Sequence, residues 1–258
     1  RLKRGAFDAM VADELGVRPE QVAARDLFLV NHQAPSIWGW ANEFVSAPKL
    51  DDLQCAFASL KAFLAGGNAH DVSVFACLDN EEVGSTTKQG ALSTFLRDTL
   101  VRTNAALGHG EEDYLRALAR SFLVSCDNAH AVHPNHPEKT DDANAPRLNG
   151  GPVIKESANQ KYTTDALSRA VFRELCERAS VPVQTFANRS DSAGGSTLGN
   201  LSNTQVSVHA VDIGLPQLAM HSSYETAGAD DTTLAIAALA KLFDTTVRIE
   251  GADRVTLA

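Results

Sequence analysis

Val72-Ser73-Val74-Phe75-Ala76-Cys77-Leu78-Asp79-Asn80-Glu81-Glu82-Val83-Gly84-Ser85 is the stretch on which the fold is read. Its opening residues, Val72 to Cys77, are an apolar run of strand length, which predicts a buried β-strand. Three carboxylates, Asp79, Glu81 and Glu82, follow at once. Like charges held close resist joint ionisation, and desolvation raises the cost further. A cation bound there removes both costs and leaves one carboxylate free to act as a base. The stretch therefore predicts a strand whose carboxyl end carries metal-assisted hydrolysis.

Outward from it, short apolar runs alternate with helical spacing. Strands are expected at Arg25–Val30, Ser121–Cys126, Val153–Ile154, Val181–Phe186 and Val206–Ile213, with an edge strand at Val247–Ile249. Helices are expected over residues 6–16, over Leu53–Leu64 with Gly66-Gly67 as the stop, from about Thr87 to Val101, over Thr164–Arg178 and over Thr232–Phe243. Residues 134–150 are polar and aperiodic and read as a long loop. The alternation implies an α/β sheet with helices on both faces. Ligands of such sheets bind beyond the carboxyl ends of the strands. Glu81-Glu82, Asp127 and His221 each come shortly after an expected strand, and Asp51 starts a helix, so the four can meet on one rim.

Composition narrows the function classes. The chain has 258 residues, enough for one large or two modest domains, and a net charge of −9. That charge argues against nucleic acid or an anionic membrane surface as the partner. No apolar run approaches the roughly 20 residues that span a bilayer. The four cysteines, Cys55, Cys77, Cys126 and Cys176, lie far apart with no Cys-x-x-Cys pair. That spacing argues against a zinc–thiolate site, and a reduced, cytoplasmic protein is expected. Cys77 and Cys126 end apolar runs and read as small buried residues.

Each site residue has a plainer reading when taken alone. Asp51 is a good N-cap for the helix at Leu53, Glu81-Glu82 a solvated loop, Asp127 a cap of the next turn, and His221 an interior histidine. Together, carboxylates and imidazole at strand ends read as a site for zinc, cobalt or manganese. The spacing of His130, His133 and His136 admits a separate metal site. The simpler reading has Asp127 as ligand, one histidine on the substrate and His136 solvated. Gly194-Gly195-Ser196-Thr197 lacks the lysine of a P-loop, and glycine there suits close approach of backbone to a substrate.

Five motifs carry a family resemblance. Asp79–Ser85, Asp127–Asn135, Gly151–Lys155, Gly195–Gly199 and Asp212–Ser222 together resemble the aspartyl aminopeptidase and vacuolar aminopeptidase I family of di-zinc exopeptidases. The resemblance runs from about residue 25 to the end. It implies a three-layer α/β/α sandwich of the zinc exopeptidase type, built on a mixed sheet that is incomplete at its N-terminus. Residues 1–30 resemble the end of a lid or dimerisation domain, and residues 31–258 the C-terminal part of the catalytic domain. By this resemblance Asp51 bridges two divalent metal ions, zinc by preference. Glu82 and His221 hold one and Asp127 the other, and Glu81 is the general base toward a metal-bound water. His130, Lys155, Gly195 and Ser196 bind substrate, with Lys155 placed to pair with an acidic first residue.

The implied activity is removal of amino-terminal residues, acidic by preference or neutral, from peptides by a homo-oligomer, a dodecamer in the complete protein. The alternatives are a metal-dependent amidase or deacylase on the same scaffold, or a catalytically incomplete fragment. The family takes a further ligand from a His-x-Asp motif ahead of Asp51, and Asn31-His32-Gln33 is not that motif. The chain is therefore expected to be the C-terminal portion of an aminopeptidase, with a second polypeptide as one source of the missing part.

Overall fold

The computed structural model describes residues 3–258 of the chain, which divide into two units, Arg1–His32 and Gln33–Ala258. In the first unit, helix α1 (Ala6–Glu14) ends before Gly16, and Arg25 pairs with Asp8. The strand expected at Arg25–Val30 is not formed. Leu27, Phe28, Leu29 and Val30 are exposed, because an extended run becomes a strand only when a second edge bonds to it.

The second unit is mixed α/β with two principal sheets. Strands β1 (Ser36–Trp38) and β2 (Phe44–Ala47) form a hairpin, and helix α2 (Leu50–Ala65) follows. Helices α3 (Phe95–Ala106) and α4 (Glu111–Ala119) come next. The helix expected from Thr87 begins only at Phe95, because the preceding backbone is spent on turns, Gly90 N–H to Thr87 O and Leu92 N–H to Ser85 O. α4 was not read from the sequence, although Gly110 N–H donates to Asp113 Oδ2 at its start.

Strands β3 (Phe122–Cys126) and β4 (Ala129–His130) are followed by the 131–152 connection, whose only regular piece is a single 3-10 turn at Pro137–Lys139. Next come β5 (Val153–Glu156), α5 (Ala166–Arg178), β6 (Gln184–Ala187), α6 (Leu198–Asn203), β7 (His209–Gly214), β8 (Pro216–Leu218) and β9 (Glu225–Gly228). Helix α7 (Asp231–Asp244) and the hairpin β10 (Val247–Ile249) and β11 (Val255–Leu257) complete the chain. Asp165 caps α5, accepting from Ser168 N–H at 2.7 Å while Ser168 Oγ accepts from Asp165 N–H.

One sheet has the order β3-β7-β5-β6 and is mixed: β3 runs parallel to β7, β5 parallel to β6, and β5 antiparallel to β7. Side chains alternate across it. Val211 and Ile213 of β7 join Phe172 and Cys176 of α5, Ala62 of α2, and Ala238 and Leu239 of α7 in the main core. Each large apolar side chain fully buried there contributes about 1.5–3 kcal/mol. Asp212, between them in sequence, faces the other way, toward Thr197 at the start of α6.

The second sheet, of order β1-β2-β9-β8-β4, was not read from the sequence because its strands are very short. It is continuous with the first: β3 runs on into β4 and β7 into β8, and both pairs stay parallel. Asp127 N–H donates to Ile213 O and Ala129 N–H to Leu215 O across this bend. Gly214 is required there, since a Cβ would stand 2.1 Å from Asp127 O.

The buried strand expected at Val72–Cys77 is a second correction. The segment belongs to no ladder among the described residues, and Val72, Val74 and Cys77 are exposed. Of the two cysteines read as buried, Cys126 is partly covered and Cys77 is not.

Candidate metal centre

Local backbone places each acid. Asp51 lies in the first turn of α2 after Lys49, which takes left-handed φ, and Asp51 and Asp52 keep non-helical dihedrals, so the regular helix starts at Leu53. Glu81 and Glu82 occupy a 3-10 turn between two left-handed residues, Asn80 and Gly84. Asn80 Nδ2 donates to Thr87 Oγ1 and Ser85 N–H to Asn80 O, which closes the turn. Asp127 sits at the bend between β3 and β4. His221, with φ of 66°, lies in the β8–β9 connection rather than directly after the long strand β7.

These residues converge. His221 Nε2 stands 3.2 Å from Asp51 Oδ2 and 3.2 Å from Glu82 Oε2. One ligand atom each from Asp51, Glu82 and His221 fall within 4.8 Å of one another, and so do atoms from Asp51, Asp52 and Asp127. Asp51 belongs to both groups. Asp52, which the sequence reading passed over as a ligand, is part of the second. Lys155 is buried and donates from Nζ to Asp127 Oδ2 at 3.3 Å, with its ammonium 5.7 Å from the Tyr162 ring centroid.

The electrostatics are those of acids crowded without enough countercharge. Burial, then the charges of Asp127, Glu82 and Glu225, push Asp51 up to about 8. Burial and Asp127 raise Asp52. Glu81 rises to about 7 through burial, Asp127 and Glu82, against the opposing pull of Lys155 and His221. For Lys155, burial works downward, but Asp127, Tyr162 and Asp212 outweigh it and the net direction is up. Carboxylates whose joint ionisation is this unfavourable, with one imidazole and no thiolate among the donors, fit a hard or borderline divalent cation.

Buried Glu225, which no motif or spacing singles out, fastens the centre. Its Oε2 accepts from Asp51 N–H at 2.9 Å and its Oε1 from His221 N–H at 2.8 Å.

The chain matches the family described as aminopeptidase I zinc metalloprotease (M18) over residues 3–243. It belongs to the M18 family. Within that family, a probable M18 family aminopeptidase 2 of Clostridium novyi is 49% identical over 221 residues, 86% of this chain and 51% of the relative. The solved structure of prApe1 superposes with a TM-score of 0.83 at 30% identity, over 92% of this chain and 51% of that one. The S. cerevisiae mApe1 dodecamer gives 0.79 at 29% identity, over 92% of this chain and 54% of that one. The chain thus spans about half the length of the M18 relatives it matches.

The remaining expected site residues are less tightly joined to the centre. His130 ends β4, with its ring 6.4 Å from that of Phe186, and burial together with the charges of Lys155 and His221 lowers its pKa. The rings of His133 and His136 lie 5.4 Å apart at a tilt of 38°, and His136 pairs with Glu138. Among the described residues the three histidines form no metal group with other donors. Gly195 and Ser196 are exposed in the loop before α6, where Ser196 Oγ donates to Asn200 Oδ1. The glycine that backbone packing demands is instead Gly199, where a Cβ would lie 2.5 Å from Asp212 Oδ1. Among the described residues, no helix is long and apolar enough to cross a membrane.

Proposed function

We propose that this chain carries the catalytic acids of a metal-dependent aminopeptidase that removes amino-terminal residues, acidic ones by preference, from peptides. The observation that carries the reading is Asp51, shared by two donor groups in a chain of the M18 family. Glu82 and His221 complete one group, and Asp127 with Asp52 the other. When bound, two divalent cations, zinc first and cobalt or manganese as alternatives, supply Lewis acidity and a water of lowered pKa.

The chain's own groups do the rest. Glu81, near the acids but in neither donor group, accepts a proton from the attacking water and returns it to the leaving amine. Lys155 offers its ammonium to an acidic first side chain, and His130 donates to the substrate. The loop at Gly195 and Ser196 borders the peptide. Residues 31–258 are the catalytic portion in this reading, and residues 1–30 the end of a lid or dimerisation domain. The dodecamer of mApe1 supports a homo-oligomeric complete protein.

The test is a screen of the complete, zinc-loaded protein on aminoacyl anilides with acidic and neutral first residues, beside N-acyl amino acids. Turnover of Asp and Glu anilides, lost with a chelator, is expected. Hydrolysis confined to N-acyl amino acids would replace the reading with that of an amidase or deacylase.

A further inference from the structure

Asn128 is buried and directly follows Asp127. One end of its side-chain amide stands 2.9 Å from Gln54 Oε1 and 3.1 Å from Gln217 Oε1. The other end stands 3.2 Å from Asp52 Oδ1 and 3.2 Å from Leu50 O. Gln54 and Gln217 are buried as well, so the amide draws its partners from these four groups. Which end is nitrogen follows from what each end faces. The Leu50 carbonyl only accepts, and so does a cation-bound Asp52 carboxylate. An amide oxygen set against both would be buried beside two other oxygens. The NH2 group set there makes two hydrogen bonds instead. Gln54 then gives an N–H to Asn128 Oδ1, because its other partner, Thr232 Oγ1 at 3.0 Å, donates as readily as it accepts. Gln217 can turn with it, its bond to Glu225 being long at 3.5 Å.

We propose that Asn128 is a positioning residue of the metal centre, its NH2 group clamping the turn Leu50–Asp52 that carries the shared ligand Asp51. The two acceptors flank Asp51 in sequence. Asp51 and Asp52 keep non-helical dihedrals, so the regular bonds of α2 do not fix this turn. Glu225 holds it from one side through the Asp51 N–H, and Asn128 holds it from the other. One dipeptide, Asp127-Asn128, thereby supplies a donor of the second group and sets the turn that brings Asp51 and Asp52 to it. The inference rests on the proposed two-cation reading and adds to it a residue that touches neither cation.

The experiment measures zinc affinity of the complete protein by competition with a chromogenic chelator, and the absorption bands of its cobalt(II)-loaded form. Urea unfolding of the metal-free proteins confirms that affinity is read on folded material. Asn128→Asp keeps the shape of the side chain and removes the N–H donors. Its added negative charge would by itself strengthen cation binding, whereas loss of the clamp should weaken zinc affinity about 10–100-fold and shift the cobalt bands. Gln54→Glu leaves Asn128 unaltered but cannot donate to its oxygen, so Asn128 turns its NH2 group away from Asp52, and zinc affinity should fall in the same direction. This second variant carries the test if Asn128→Asp does not fold. Zinc affinity that holds or rises in the folded variants, with two zinc ions still bound by wild type, would overturn the inference alone. A wild type that binds no zinc would overturn the two-cation reading and the inference with it.

Discussion

The carboxylate of Glu225 ties Asp51 to His221, one oxygen to each backbone amide, at 2.9 and 2.8 Å. A buried acid between the two turns that carry the proposed ligands Asp51 and His221 sets their separation, as outer residues set metal ligands elsewhere. Replacing Glu225 by Ala strands two partly buried backbone donors. The cost should be about 1–3 kcal/mol of stability, and zinc affinity should fall about 10–100-fold. Glu225→Gln keeps one acceptor and should fall between. Competition with a chromogenic chelator reads the affinity; an unchanged value for the Ala variant would remove Glu225 from the centre.

Glu81 is near the acids yet outside both donor groups. In the complete enzyme Glu81→Gln should lower kcat by about 10²–10⁴-fold with zinc content unchanged. Turnover that survives, measured beside metal analysis on the same sample, would mean that another group moves the proton.

Lys155 and Asp127 form a buried pair. Lys155→Met leaves Asp127 without its ammonium, which should cost the metal-free protein about 3–5 kcal/mol in urea unfolding. A zinc ion on Asp127 supplies replacement charge, so the loss should shrink with zinc present. In peptide assays the variant should also lose its preference for acidic over neutral first residues. A preference that persists would place the recognition of the acid elsewhere.

Asp212 accepts from the backbone and hydroxyl of Thr163 and from the hydroxyl of Thr197, and so holds two loops to β7. Gly199 lets α6 close on that carboxylate. Gly199→Ala should therefore destabilise by about 1–3 kcal/mol through overpacking. Thermal unfolding measures it, and a neutral result would show that α6 can shift without cost.

Asp231 gives a pH signature remote from the metal ligands. Its carboxylate accepts from Asn149 and Gly151 N–H, yet burial raises it from 3.8 to about 6. A folded pKa above the unfolded one means that the native state binds more protons between those values, so stability falls as pH rises from about 4 to about 6 and is level beyond. The shift corresponds to roughly 3 kcal/mol at most. The difference in unfolding free energy between wild type and Asp231→Asn should change across that window and be flat above it. A difference flat throughout would refute the assignment.

Where the sequence was legible, one segment held the whole signal. Helices α2, α5 and α7 follow from apolar spacing, and β3 and β7 from short apolar runs. Asp51, Glu82, Asp127 and His221 stood out as acids and an imidazole at strand ends, where a charge-rich turn after an apolar run calls for a cation. Glu225, Asp52 and Asp231 gave no such signal. A buried carboxylate that accepts backbone amides is one acid among many until the donors, far away in the chain, are brought to it.

Residue order alone determined the periodicities, the turn residues and the chemical types of the donors, because these depend on neighbours a few positions away. Tertiary structure alone decided which runs became paired strands, that Asp51 serves two groups at once, and that the ammonium of Lys155 meets Asp127. Ladder pairing, charge crowding and desolvation are properties of groups distant in sequence. The run from Val72 to Cys77 has everything a buried strand needs except a partner, and a partner is not something a run can encode.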